Sequence, residues 1–199
     1  MKSFWDSLKM LLWMTVLTGL IYPLGILLIV QLSMPKRSNG SLIKLNDQII
    51  GSKLIGQKFE SNRYFWPRPS ASDYSAYPAK ASHLGPTSAK LMKLIQERRF
   101  KLAKSHETKD LSTIPIELLC ASASGIDPHI SKRAAYFQIA RVINARGMSD
   151  SMKLEIEELI SKNLDKPIGR FFGEPCVNVF MLNLALDAFE KQKDSNGYR

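Results

Sequence analysis

From Met10 to Pro35 no side chain carries a formal charge, and most are Leu, Ile, Val, Met or Trp. A helix that crosses a bilayer needs about 20 mostly apolar residues. Met10–Leu32 supplies 23 of them, so the first part of this chain is built for lipid and must be read apart from the rest. A cleaved signal peptide has a shorter apolar region followed by a small-x-small site. Here the run continues through Gln31 and Leu32 into Ser33, Met34 and Pro35, which predicts a retained anchor over residues 10–32, preceded by a short segment at 1–9. Pro23 removes a backbone donor and crowds the previous turn, so a bend is expected near Ile21–Pro23. Gly19 and Gly25, with Thr15 and Thr18, offer small surfaces to which another helix could come close; a lipid-facing anchor with incidental glycines fits the same residues.

The flanking charges do not decide orientation. Lys2 and Lys9 precede the helix while Lys36, Arg37 and Lys44 follow it, and a local count of cations would put the large domain in the cytoplasm. With the N-terminal amine included the count is nearly balanced, and long domains translocate largely regardless of charge.

Residues 33–199 are enough for one domain. Of the net charge of +10, the first 32 residues carry only +1 (Lys2 and Lys9 against Asp6), which leaves +9 on the remainder. The excess is spread. Its densest run, Lys90–Lys104, reads as the solvated face of a helix whose apolar side is Leu91, Leu94, Ile95 and Leu102, and no nucleic-acid recognition motif accompanies it. Cys120 and Cys176 are too few for a disulfide scaffold and lack metal-binding spacing. Two small buried thiols are the plainer reading, although a bridge is allowed outside the cytoplasm.

Linker composition at 33–45 leads into a soluble domain over 46–199. Short apolar runs around Gly51 and Gly56 suggest strands broken by a turn between Asn46 and Phe59. Tyr64–Pro86 holds four prolines and the aromatics Tyr64, Phe65, Trp66, Tyr74 and Tyr77. That composition predicts a long ordered loop, the first candidate contact surface. Thr87 or Ser88 caps a helix to about Lys104, and Ile114–Ala121 is a short apolar run. Ser122–His129 is a sharp turn in which Asp127 caps and Pro128 opens a helix over His129–Arg146, with Ile130, Ala134, Phe137, Ile139, Ala140 and Ile143 buried and Gly147 as its C-terminal cap. Asp150 caps the next helix, with an apolar side of Leu154, Ile156, Leu159, Ile160 and Leu164, closed by Lys166, Pro167 and Gly169. Cys176–Met181 reads as a strand and Leu182–Lys191 as a closing helix. The fold class is therefore α+β: one transmembrane helix followed by a compact domain with a small sheet and about four helices.

Chemistry is sparsely represented. Ser122 and Ser124 stand beside Asp127 and His129, but no G-x-S-x-G frame surrounds them, and capping a turn accounts for the same residues. His83, His106 and His129 share no ligand spacing, so no metal is implied. Neither GxxxxGK[ST] nor GxGxxG occurs, and any nucleotide contact would be shared with a partner.

The order of motifs resembles the KdpC family, the C subunits of bacterial high-affinity potassium-transporting P-type ATPases, over nearly the whole chain. The resemblance rests on Thr18, Gly19, Tyr22 and Pro23; on Gly51, Ser52 and Leu54–Gln57; on Phe65 with Arg68, Pro69 and Ser70; and on Leu84–Thr87. It continues through Ala121–Ser131 (ASASGIDPHIS), Gln138, Ala140, Arg141 and Val142, and through Gly173, Glu174, Val177–Val179 and Leu182–Asp187. Where the family reads Gly-Ser-Asn before Leu-Gly-Pro-Thr-Asn, the chain has Ala81, Ser82 and His83 and later Ser88, so the family's amide side chains are missing at His83 and Ser88. The resemblance implies a non-catalytic accessory subunit, needed for assembly and proposed to raise the ATP affinity of the pump subunit. Its expected partners are the channel-like and ATP-hydrolysing subunits, with membrane lipid around residues 10–32 and no nucleic acid. No cofactor is expected on this chain alone, with ATP shared with the pump subunit. The family's soluble domain is placed outside the cytoplasm, on the outer side of the bacterial inner membrane. Contact with partners is expected at Gly19, Pro23, Gly25, Gln57, Phe65, Arg68, Pro69, Ser70, Ser124, Gly125, Asp127, His129, Asn178 and Asn183. A free-standing membrane-anchored hydrolase using Ser124 and His129, or a periplasmic sensor or binding module, are the alternatives.

Overall fold

The computed structural model describes residues 2–165 and 173–195, and the chain divides into two compact units, residues 1–52 and 53–199. In the first, α1 (Lys2–Val16) and α2 (Tyr22–Ser33) form one helical run of 32 residues, joined by a π turn at Leu17–Ile21. At 1.5 Å per residue this run is about 48 Å long, more than a hydrocarbon core of about 30 Å requires. Neither helix buries a side chain. The π turn has its cause in Pro23, which has no N–H for the Gly19 carbonyl and whose ring would strike that carbonyl in a tight α turn. Widening the turn sends the Tyr22 N–H to the Leu17 carbonyl, five residues back, and Pro23 falls in the first turn of α2, where its missing donor is not needed. Where the sequence predicts a bend, the structure has a π turn that ends two residues before the proline.

The stretch expected as linker carries structure instead. α3 (Pro35–Ser38) and β1 (Leu42–Leu45) lie within it, and β1 pairs antiparallel with β2 (Gln48–Ser52). Asn46 and Asp47, with φ of 50° and 61°, form the two-residue left-handed turn that suits a right-twisted hairpin. This turn, rather than Gly51 or Gly56, sets the strands, and for that reason they begin before Asn46. The hairpin is a sheet of its own.

The second unit contains α4 (Ala89–Ser105), β3 (His129–Ser131), α5 (Lys132–Arg146), α6 (Lys153–Lys162), β4 (Leu164–Asp165), β5 (Cys176–Asn178) and α7 (Val179–Ser195). The sheet order is β3-β5-β4, antiparallel throughout, with Ile130 opposite Val177 and Val177 opposite Leu164. Helices α5, α6 and α7 pack around it, and Ile130, Ile139, Val142, Ile156, Ile160, Val177, Leu182 and Leu186 form a core with almost no exposure. The architecture is the mixed α/β class expected, with four longer helices among the described residues of this unit.

Several boundaries differ from the sequence reading. His129–Ser131 is a strand, and α5 starts after it, capped by Ser131, whose Oγ accepts from the Ala134 N–H. Asp127 instead accepts from the His129 N–H at 3.0 Å and closes a turn, because pairing with β5 holds residues 129–131 extended. Ala140 is exposed while Val142 is buried. Gly147 does cap α5 in the left-handed region, with φ 65°. Ser149, not Asp150, caps a short 3-10 turn ahead of α6. Strand β5 stops at Asn178, which caps α7 by accepting from the Met181 N–H at 3.1 Å; the expected strand to Met181 therefore ends three residues early. The expected closure at Lys166, Pro167 and Gly169 lies outside the described residues. Cys120 and Cys176 are unbridged and only partly buried.

On α6 the periodicity put Leu154 in the core, yet it is 74% exposed while Ile156 is fully buried. Ile156→Ala is expected to lower unfolding stability by about 3 kcal/mol. Leu154→Ala should stay within about 0.5 kcal/mol of the parent. Denaturant unfolding of the full chain in detergent measures both, and equal effects would refute this core assignment.

Candidate functional site

The segment after Phe59 is pulled into the core by residues on two helices. On α5, Gln138 and Arg141 lie one turn apart on one face, Arg146 follows five residues later, and all three are buried. Gln138 accepts from the Trp66 N–H at 2.7 Å and donates to the Trp66 carbonyl at 3.1 Å. From α7, Asn183 does the same for Phe65, at 2.8 and 3.0 Å. The Arg141 guanidinium donates to the carbonyls of Asn62 (2.7 Å) and Tyr64 (2.9 Å) and to Gln138 Oε1 (2.7 Å), and lies 4.1 Å above the Trp66 ring. Arg146 donates to the Arg63 carbonyl and pairs with Asp187 at 2.7 Å and with Glu190.

His106 completes this group. Arg141 Nε donates to its Nε2 at 3.2 Å, so Nδ1 carries the proton and donates to the Leu102 carbonyl at 2.9 Å. Burial, with the adjacent Arg141 cation, pushes His106 down to about 4. Burial alone lowers Arg141 to about 10, which leaves it charged at neutral pH. No carboxylate pairs with Arg141 among the described residues.

A second assembly holds the far end of the loop. Arg68 pairs with Asp127 at 3.2 Å. The Pro69 carbonyl accepts from the Ser122 N–H, and Ser70 Oγ accepts from the Tyr74 N–H at 2.9 Å. Gly125, at φ 75°, sits where a Cβ would fall 2.7 Å from the Lys80 carbonyl oxygen and from Ser72 Oγ. Gly56 donates to the Ile126 carbonyl, and a Cβ there would meet the Asp127 carbonyl oxygen at 2.7 Å. His129 faces two carboxylates, Asp127 at 3.6 Å through Nδ1 and Asp165 at 3.5 Å through Nε2. Asp127, and then Asp165, raise the imidazole above its ordinary value, while the imidazole beside Asp127 lowers that carboxyl.

The residues singled out from the sequence thus separate into three groups. Arg68, Pro69, Ser70, Ser124, Gly125, Asp127 and His129 come together as the brace under the loop. Phe65, Asn178 and Asn183 are buried, Asn178 donating to the Lys53 carbonyl at 2.8 Å, and Gln57 is half-buried near the start of this stretch. Gly19, Pro23 and Gly25 belong to the other unit, and nothing lies within 4 Å of the Cβ position at either glycine, so both present open backbone. Ser124 Oγ accepts from the Ile126 N–H at 3.2 Å, and both ring nitrogens of His129 face carboxylates, so the two do not form a nucleophile and base. Four of the five loop aromatics turn inward, and Tyr77 alone is 92% exposed. Between the loop and α4 lies a cavity of about 270 Å³, with Trp66 and Tyr74 as aromatic walls and Arg98 and Lys101 at its rim. Reading α5 as an apolar stripe passed over Arg141, Arg146 and His106 as parts of the site. The presence of Gln138, Arg141 and Arg146 among the Ala, Ile and Val of α5 was the available signal.

The family model for KdpC, the K+-transporting ATPase c chain, matches residues 4–188. The chain belongs to the KdpC family. It is 44% identical over 187 residues to the potassium-transporting ATPase KdpC subunit of Serratia proteamaculans, covering 92% of this chain and 97% of that one. To the subunit of the same name from Methylococcus capsulatus it is 42% identical, over 94% of this chain and 98% of the relative. The match to that of Cereibacter sphaeroides is 41%, over 92% and 95%. The KdpC match spans both units, from the first turn of α1 to α7.

The two histidines predict opposite responses to pH. His106 is held neutral, so the unfolded chain takes up a proton before the folded one does, and stability falls as pH drops from 6.5 toward about 4. His129 is raised, so its contribution is fully present below 6.5 and is lost as pH rises through the folded value. Unfolding midpoints of the full chain in detergent should lose part of their acid sensitivity in His106→Gln and part of their decline above pH 6.5 in His129→Gln. Profiles unchanged by either substitution would refute both assignments.

Proposed function

We propose that this chain is the non-catalytic accessory subunit of an ATP-driven potassium uptake complex, anchored in the bacterial inner membrane through residues 10–32. The observation that carries this is the KdpC match over residues 4–188, with relatives named as potassium-transporting ATPase KdpC subunits covered almost end to end. The geometry agrees in kind. Of the polar groups that the sequence offers for catalysis, Ser124 and Asp127 accept from backbone N–H groups, and Asp127 and His129 pair with each other, with Arg68 and with Asp165, while the loop they brace exposes Tyr77.

The finer reading concerns partners and side. The partners are the channel-like and ATP-hydrolysing subunits, met by the Gly19–Gly25 face of the anchor and by the loop over residues 64–86. Gly19 and Gly25 leave open backbone surface of the kind that packed membrane helices use. The folded domain stands on the outer side, a placement that rests on the family resemblance and that the nearly balanced flanking charges leave open. No nucleotide is bound by this chain alone. Any influence on the ATP affinity of a partner then passes through the anchor as a coupling between conformations.

Copurification of the tagged chain from membranes should bring down larger membrane subunits. Gly19→Leu with Gly25→Leu is expected to remove most of that material, whereas Ser124→Ala leaves it. A chain that runs alone in mild detergent would point to a free-standing module. Sidedness is tested separately by fusing a reporter active only outside the cytoplasm, or one active only inside, to the C-terminus. Activity of the outside reporter alone is expected, and activity of the inside reporter alone would reverse the placement and reopen direct contact with ATP.

A further inference from the structure

The geometry points to the β1–β2 hairpin as a membrane-surface element that lies on anionic lipid headgroups next to the exit of the transmembrane helix. This rests on the anchor reading but not on the partners. The hairpin belongs to the same compact unit as the helix, and the chain between them is short and tightly folded. The Met34 N–H bonds to the Val30 carbonyl, Asn39 Nδ2 donates to the Pro35 carbonyl at 2.7 Å, and the Ser41 N–H bonds to the Lys36 carbonyl. Ser52 Oγ then donates to the Gly40 carbonyl at 2.7 Å and ties the end of β2 to that turn. With Ser33 at the end of the apolar run, this keeps the hairpin within a few residues of the lipid boundary.

Its composition suits that boundary. Leu42, Leu45 and Ile49 are 49, 53 and 58% exposed. Alternation along β1 places Leu42 and Lys44 on one face, and Ile49, paired with Lys44, shares it, while Leu45 lies on the other face beside the turn; the register shifts between Ile43 and Lys44. A two-stranded hairpin is marginal in water and needs a cover for its apolar side chains. The charges indicate which cover. Lys36, Arg37 and Lys44 stand against Asp47 alone in residues 33–52, and none of the three has a carboxylate partner among the described residues. Apolar side chains beside unpaired cations, continuous with a spanning helix, match the acyl boundary below and lipid phosphates above.

The test places a nitroxide at Ile49→Cys in the full chain with Cys120→Ser and Cys176→Ser, and at Leu154→Cys as an exposed control, reconstituted in vesicles. In phosphatidylcholine mixed with phosphatidylglycerol, the ratio of oxygen to nickel-chelate accessibility at Ile49→Cys should exceed the control about threefold. It should fall toward the control in pure phosphatidylcholine, in high salt, or with Lys36→Gln, Arg37→Gln and Lys44→Gln together. Amide exchange of residues 42–52 in the unsubstituted chain should slow in the same lipid mixture, which guards against an effect of labelling. Equal accessibility at the two positions in every lipid overturns the inference, and so does shielding that arises only when copurified subunits are present, since a protein surface is then the cover. Alkaline extraction of the chain from the vesicles would mean that the anchor itself is misread, a distinct failure.

Discussion

Two side-chain amides stand in for the neighbouring strands of an extended segment, and the second unit is arranged around that substitution. Phe65 and Trp66 are buried, and each buried N–H or carbonyl left unmet costs about 1–3 kcal/mol. Consecutive residues of an extended chain direct their N–H and carbonyl to opposite sides. A carboxamide offers an acceptor and a donor side by side, in the shape of a peptide edge. Asn183 therefore satisfies both groups of Phe65 from α7, and Gln138 satisfies both groups of Trp66 from α5. That geometry requires a helix on each side of the segment, so the positions of α5 and α7 and the depth of both aromatic rings follow from one requirement.

The two buried arginines of α5 meet the cost of burial differently. Arg146 has Asp187 and Glu190, while Arg141 has carbonyl dipoles, the Trp66 ring and a neutral imidazole. A guanidinium without an anion depends on every neutral partner keeping its orientation. His106 meets that condition only while its Nε2 is unprotonated, and the nearby cation works to keep it so. The neutrality of His106 and the retention of Arg141 are thus one arrangement seen from two residues, and both hold residues 62–66 in place.

Much of the element order was legible because it depends on local chemistry. Ser88 caps α4 and Gly147 ends α5, each for reasons contained within a few residues, and the uncharged run from Met10 announces the long apolar helix. The misses share a different origin. Asp127 and Pro128 imitate the start of a helix, and only pairing with β5 at Cys176–Asn178 makes His129–Ser131 extended. Leu154 fits the period of α6 but falls on the side away from the core. In the site, Gly125, Asp127 and His129 share one motif and Arg68 stands in another, whereas Arg141 and Arg146 acquire their roles from carbonyls of residues 62–64 and His106 from Arg141 on another helix. Periodicity records which face of a helix is apolar. It does not record which buried polar side chain will find a backbone to satisfy.

The loop is held at two places, by the amide pair at residues 65–66 and by the brace of Arg68, Pro69, Gly125 and Asp127. Gly125 lets the second hold be tight, since any side chain there would meet the Lys80 carbonyl and Ser72. A segment fixed at both sites projects what lies between and beyond them with little freedom, and what it projects is the ring of Tyr77. Preorganised surface of this kind lowers the ordering cost of association, which is of use to a subunit that docks and of little use to an enzyme, whose polar groups must stay free to move protons. Here the titratable groups nearest the loop are bound to one another, Asp127 to Arg68 and His129, and His129 to Asp165. The same side chains that a catalytic reading would recruit are the ones the domain uses to hold its exposed loop still.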